Sequence, residues 1–97
     1  MNITIDGQEY PLRYSLRALK KFEQKSKLSV FNLGDANALS AEACAWLIYC
    51  GIVDGCAFDD IDFKMTLAEI EPHCDLSHVE LAVQALQQYT GAGEKKT

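Results

Sequence analysis

Ser40-Ala41-Glu42-Ala43-Cys44-Ala45-Trp46-Leu47-Ile48-Tyr49-Cys50-Gly51-Ile52-Val53-Asp54-Gly55 is the stretch around which the rest of this 97-residue chain has to be arranged. Ser40 carries the side-chain oxygen of a helix N-cap, and Glu42 puts an acid in the first turn. The eleven residues from Ala43 to Val53 carry no charge. A helix over Ala41 to about Val53 therefore has no polar face, which makes it central to a fold or shared with a partner. Asp54-Gly55 reads as its stop. A small domain has few atoms with which to surround a whole helix. Part of the Trp46, Tyr49 and Val53 surface is therefore expected to be buried only in an oligomer or complex.

Upstream, Ile3 and Ile5 alternate with Asn2 and Thr4, and Asp6-Gly7 supplies the two positive φ values of a type I′ hairpin turn. A two-residue loop sets Ile5 against Gln8, Ile3 against Tyr10 and Met1 against Leu12, so register and apolar pattern agree. Pro11 then falls opposite Asn2 at a non-hydrogen-bonded position, where its missing N–H does no harm. An isolated hairpin is marginal in water and must lie on something else. Ser15 can cap a helix from Leu16 whose apolar stripe is Leu16, Ala18, Leu19 and Phe22, fading at Lys25 to Lys27. Residues 26–39 form a connector with Val30, Phe31 and Leu33 as anchors and a turn at Gly34-Asp35, too apolar for a free linker.

Downstream, Phe58, Ile61, Phe63 and Met65 interleave with Asp59, Asp60 and Asp62. An EF-hand reading fails because Lys64 and Met65 occupy ligand and glycine positions. Thr66-Leu67-Ala68-Glu69 is a capping box opening a short helix that Pro72 cuts off soon after Glu71. Ser77-His78-Val79-Glu80 reads as a second capping box, opening a helix to about Tyr89 with Val79, Ala82, Val83 and Leu86 on one stripe. Gly91 and Gly93 stop it, and residues 91–97 are expected to be a disordered tail. The whole is an α+β fold, mostly α-helical: an N-terminal β-hairpin followed by three main helices plus one or two short helices, in a single domain over residues 1–90.

Hydrophobic residues are 48% of the chain and charged residues 24%, which suffices for a packed core and argues against disorder throughout. No signal sequence is expected from the opening residues Met1 to Asp6, and the uncharged stretch at Ala43–Val53 is short of the roughly 20 residues that span a bilayer. Net charge is −5, which disfavours nucleic acid as a partner. The charge is uneven. Arg13, Arg17, Lys20, Lys21, Lys25 and Lys27 face only Glu23 over residues 13–27, while residues 28–93 hold ten acids and one lysine. Arg17, Lys20, Lys21 and Lys25 are therefore expected to steer an acidic partner, a second copy included. The four cysteines lack a C-x-x-C pair, and Cys56, His73, Cys74 and His78 make an awkward zinc set, so reduced thiols packed as small hydrophobes are expected. No nucleophile elbow, phosphate loop or zinc-protease motif occurs, and neither His73 nor His78 has a catalytic partner in sequence. A binding protein without cofactor or metal is expected rather than an enzyme.

The order of segments carries a resemblance. Asn2-Ile3-Thr4-Ile5-Asp6-Gly7-Gln8-Glu9-Tyr10-Pro11-Leu12-Arg13-Tyr14 runs into Ser15-Leu16-Arg17-Ala18-Leu19-Lys20-Lys21-Phe22-Glu23. Phe31-Asn32-Leu33, Leu39-Ser40-Ala41-Glu42, Leu47-Ile48-Tyr49-Cys50-Gly51 and Met65-Thr66-Leu67-Ala68-Glu69-Ile70 follow. Over about residues 1–90 this resembles the small tail assembly chaperones of long-tailed bacteriophages and prophages. The resemblance implies a non-enzymatic protein of the host cytoplasm that binds the tape measure protein and the tail tube subunit and is absent from the mature virion. It also implies a longer form made by ribosomal slippage, for which Glu94-Lys95-Lys96 offers a site if its codons read GAA-AAA-AAG. The other reading of the residues is a different small protein–protein interaction module, such as a structural tail or adaptor component or a regulatory subunit.

Overall fold

A computed structural model describes residues 1–27 and 40–90. The expected connector anchors Val30, Phe31 and Leu33, the Gly34-Asp35 turn and the tail at 91–97 lie outside the described residues. Strand β1 (Asn2–Ile5) pairs antiparallel with β2 (Gln8–Pro11) in the expected register, Asn2 to Pro11, Ile3 to Tyr10, Thr4 to Glu9 and Ile5 to Gln8. Asp6 and Gly7 take φ of 52° and 78°, the signature of the type I′ turn. The ladder continues one step further, with Leu12 N–H donating to the Met1 carbonyl at 2.8 Å. Ile3, Ile5, Leu12 and Tyr14 are buried.

Among the described residues four helices follow: α1 (Leu16–Ser26), α2 (Ala41–Phe58), α3 (Leu67–Ile70) with a 3-10 turn at Glu71–His73, and α4 (Leu76–Thr90). The hairpin, α1 and α4 all pack on α2, and the core joins Phe22, Leu47, Ile52, Ile70 and Ala82. Ser40 accepts from Ala43 N–H at 3.1 Å, as its N-cap role requires. The Thr66 and Glu69 capping box forms with both of its hydrogen bonds. Pro72 sits in the 3-10 turn, where its missing N–H costs nothing.

Four expectations are corrected. Helix α2 does not stop at Asp54-Gly55 but runs on to Phe58. Asp54 is not competing for backbone there, because its carboxylate is occupied by α1. Gly51 and Gly55, one turn apart, let the chain from Pro11 to Tyr14 lie against the helix. A Cβ on Gly55 would strike the Pro11 carbonyl, and one on Gly51 would strike the Tyr14 ring. At 18 residues with mean hydropathy 1.4, α2 is long and apolar enough by length and composition to cross a membrane, contrary to the sequence expectation. Here half of it is buried in the core. Leu16 does not join the apolar stripe. It is 79% exposed, while Ala18, Leu19 and Phe22 are buried. Finally, α4 is opened by Asp75 rather than by Ser77. The Asp75 carboxylate accepts from Ser77 N–H at 2.9 Å, and Asp75 N–H donates to His78 Nδ1 at 3.0 Å, so histidine takes the place of glutamate in the box.

Candidate functional site

The basic helix and the apolar helix meet along one face. Asp54, 2% exposed, organises one end. Its Oδ1 accepts from Arg17 Nε and Nη2 at 3.0 and 2.7 Å, and its Oδ2 accepts from Ser15 N–H at 3.0 Å. The carboxylate thus takes the N–H of the N-cap residue itself, while the Ser15 hydroxyl, expected to cap the helix, makes no cap hydrogen bond. Burial alone would raise the Asp54 pKa, but the Ser15 N–H and the Arg17 guanidinium outweigh it and hold the group below the usual carboxylate value. Arg13 lies 3.9 Å from the same carboxylate, and its guanidinium carbon sits 3.8 Å from the Phe58 ring centroid.

Trp46 marks the other end of the face. Lys25 Nζ lies 5.4 Å from its ring centroid. Tyr49 meets Trp46 edge-on at 5.9 Å, Phe63 tilts against Tyr49 at 6.2 Å, and Tyr10 meets Phe63 edge-on at 5.1 Å. A string of four aromatic rings thus ties α2 to the segment after it and to β2. Trp46, Tyr49 and Val53 follow at helical spacing, and each is only half-buried.

The structure therefore brings Trp46, Tyr49 and Lys25 together, with Val53 one turn further along α2. Lys20 and Lys21 are exposed on α1. Arg17 is placed apart, its charge committed to Asp54. Tyr10, Phe63, Arg13 and Phe58 were not singled out by sequence reasoning. The interleaving of Phe58, Ile61, Phe63 and Met65 with aspartates was the available signal, since alternate apolar residues imply one face laid on something.

All four cysteines are free thiols. Burial pushes each thiol up. Cys50 rises to about 11 despite the opposing pull of Lys21 and Lys25. Among the described residues no group of three or more His, Cys, Asp or Glu could hold a metal ion. His78 joins α4 to the hairpin. Its Nε2 is 2.9 Å from the Thr4 carbonyl, which can only accept, so Nε2 carries the proton. His73 Nδ1 lies 3.9 Å from Asp6 at the hairpin turn. The arrangement offers apolar area, rings and cations for docking, with Asp54 neutralised where the two helices meet. Comparison with protein families, curated proteins and solved structures finds no match to the chain.

Proposed function

We propose that this chain is a non-enzymatic assembly chaperone of the phage-tail type, binding the tape measure protein and the tail tube subunit in the host cytoplasm and leaving before the virion is complete. The observation that carries the reading is the half-covered ridge of Trp46, Tyr49 and Val53 on the most buried helix of the domain, with Lys25 over Trp46. A small domain has few atoms with which to surround a whole helix, and Trp and Tyr are enriched among the residues that anchor an interface. A long helical client aggregates unless its apolar stripe is masked, and a small domain with spare aromatic surface masks it reversibly. The cations of α1 add orientation and speed of encounter rather than affinity. The order of segments that resembles tail assembly chaperones supplies the identity of the clients.

Co-expression with the neighbouring long helical protein and with the tube subunit, followed by pull-down, tests the proposal. The expected outcome is a soluble complex with one or both that is lost in Trp46→Ala/Tyr49→Ala. If neither protein is retained by the wild-type chain, the reading is wrong.

A further inference from the structure

A second surface lies on the far side of α2. Arg17 and Lys25 of α1 reach Asp54 and Trp46, eight residues apart on one stripe of α2. Ala41, Cys44, Ala45 and Ile48 fall on roughly the opposite side at 3.6 residues per turn. There they floor a groove of about 740 Å³, walled by α3, the 3-10 turn and the start of α4. The other apolar groups lining it include Leu67, Ile70 and Val79. Leu76 stands at the edge, 77% exposed. The charged side chains among its lining residues are Glu42, Glu71 and Asp75, all acidic and all exposed.

We propose that this groove is a docking site for a basic amphipathic helix of another protein, with its apolar face on the Ala45–Ile48 floor and its Lys or Arg flanks against Glu42, Glu71 and Asp75. Two observations select that occupant. The rim is of one sign, so a cationic flank is attracted and an anionic one repelled. A helix satisfies its own backbone N–H and C=O groups, so it can lay an apolar stripe on the floor of Ala45 and Ile48 without burying unpaired ones. A second copy of this chain is a poorer occupant. The apolar side of its basic helix α1, Ala18, Leu19 and Phe22, is already inside its own core. This inference goes beyond the chaperone reading and does not depend on it, since it concerns a different face of α2.

The test uses the full chain and two synthetic helical peptides of about 18 residues, each with a Leu/Ala stripe, one flanked by Lys and the other by Glu. Fluorescence anisotropy reads binding, and maleimide labelling of Cys44 and Cys74, both lining the groove, reads its location. The Lys-flanked peptide is expected to bind, to slow labelling of both thiols severalfold, and to weaken as salt rises. Glu42→Lys/Glu71→Lys, at exposed positions, is expected to weaken that peptide about tenfold and to strengthen the Glu-flanked one. Leu76→Ser is expected to weaken both peptides, the stripe being common to them. Equal binding of the two peptides by the wild-type chain overturns the proposal, as does binding without protection of Cys44 and Cys74. Thiols already shielded in the free protein at all concentrations overturn it too, because the chain then fills its own groove. Shielding that grows with protein concentration alone makes a second copy the occupant and overturns it equally. Retention of the long helical client by Glu42→Lys/Glu71→Lys leaves the chaperone reading standing whatever the peptides do, so the two proposals fail separately.

Discussion

Gly55→Ala sets two effects of opposite sign against each other. Alanine is better than glycine inside a helix by about 0.8–1.0 kcal/mol, so on local grounds the substitution stabilises α2. The tertiary contact argues the other way. An ideal Cβ at position 55 would lie 2.7 Å from the Pro11 carbonyl carbon and 3.2 Å from its Cβ, with the carbonyl oxygen nearer still. These are mostly backbone atoms, and they are pinned on both sides. Leu12 N–H is bonded to Met1 at 2.8 Å and Arg13 N–H to the Gly51 carbonyl at 3.1 Å. Relief requires β2 to lift from α2. Overpacking of this kind costs about 1–3 kcal/mol, and loosening the Arg13 bond adds about 1 kcal/mol. Subtracting the helical gain leaves a net loss of about 1–3 kcal/mol. For a chain of this length the melting temperature should fall by roughly 5–20 °C. Urea titration followed by circular dichroism, with a parallel thermal scan, measures it. A midpoint equal to or above the wild type's refutes the reasoning, because helix propensity would then have won and Pro11 would not rest on α2.

Asp54→Asn should destabilise the domain at neutral pH by about 1–3 kcal/mol, since the charge that holds Arg17 and the Ser15 N–H is gone. The wild-type carboxyl lies below its ordinary value of 3.8 when folded. Its contribution is therefore complete above that value and is lost as pH falls through the folded pKa. Asp75 acts in the same window, held down to about 2 chiefly by the hydrogen bond from the Ser77 hydroxyl. Between about pH 5 and about pH 2 the wild type should lose stability more steeply than Asp54→Asn/Asp75→Asn, and parallel acid titrations of the urea midpoint would contradict this. Lys20→Glu/Lys21→Glu should slow association with an acidic partner severalfold at low salt, with the difference fading as salt rises; unchanged stopped-flow rates at low salt would dispose of the steering role. Maleimide should label the half-buried Cys44 and Cys74 well before Cys50 and Cys56, which are each 1% exposed. Equal labelling rates by mass spectrometry would mean that the core is not packed as described.

The hairpin was legible because its determinants are local. Asp6-Gly7 fixes the turn, the turn fixes the register, and the register puts Ile3, Ile5 and Leu12 on one face before any tertiary contact exists. The Thr66 box and the Ser40 cap were legible for the same reason, each being a bond closed within one helical turn. The apolar run marked α2 as the central helix, and its length without polar relief pointed to Trp46, Tyr49 and Val53.

Sequence reasoning failed where a residue's partner lies far along the chain. Asp54-Gly55 has the local chemistry of a stop, yet the helix continues. Arg17, thirty-seven residues earlier, occupies the carboxylate, and the glycine makes room for Pro11 rather than for a turn. The same pairing withdraws Arg17 from the row of surface cations with which it was read. His78, read as part of a cap opened by Ser77, instead serves a cap opened by Asp75 and reaches Thr4, seventy-four residues away. The groove was invisible to periodicity. Ala41, Cys44, Ala45 and Ile48 look like any buried stripe, and only the packing of α3 and α4 sets acidic groups around a floor they leave partly open. The sequence alone determined which segments form and which faces are apolar, because those follow from turn chemistry and side-chain period. Only the tertiary structure decided which apolar faces are used up within the chain and which charges are neutralised there, because both depend on contacts between segments that local preference does not specify.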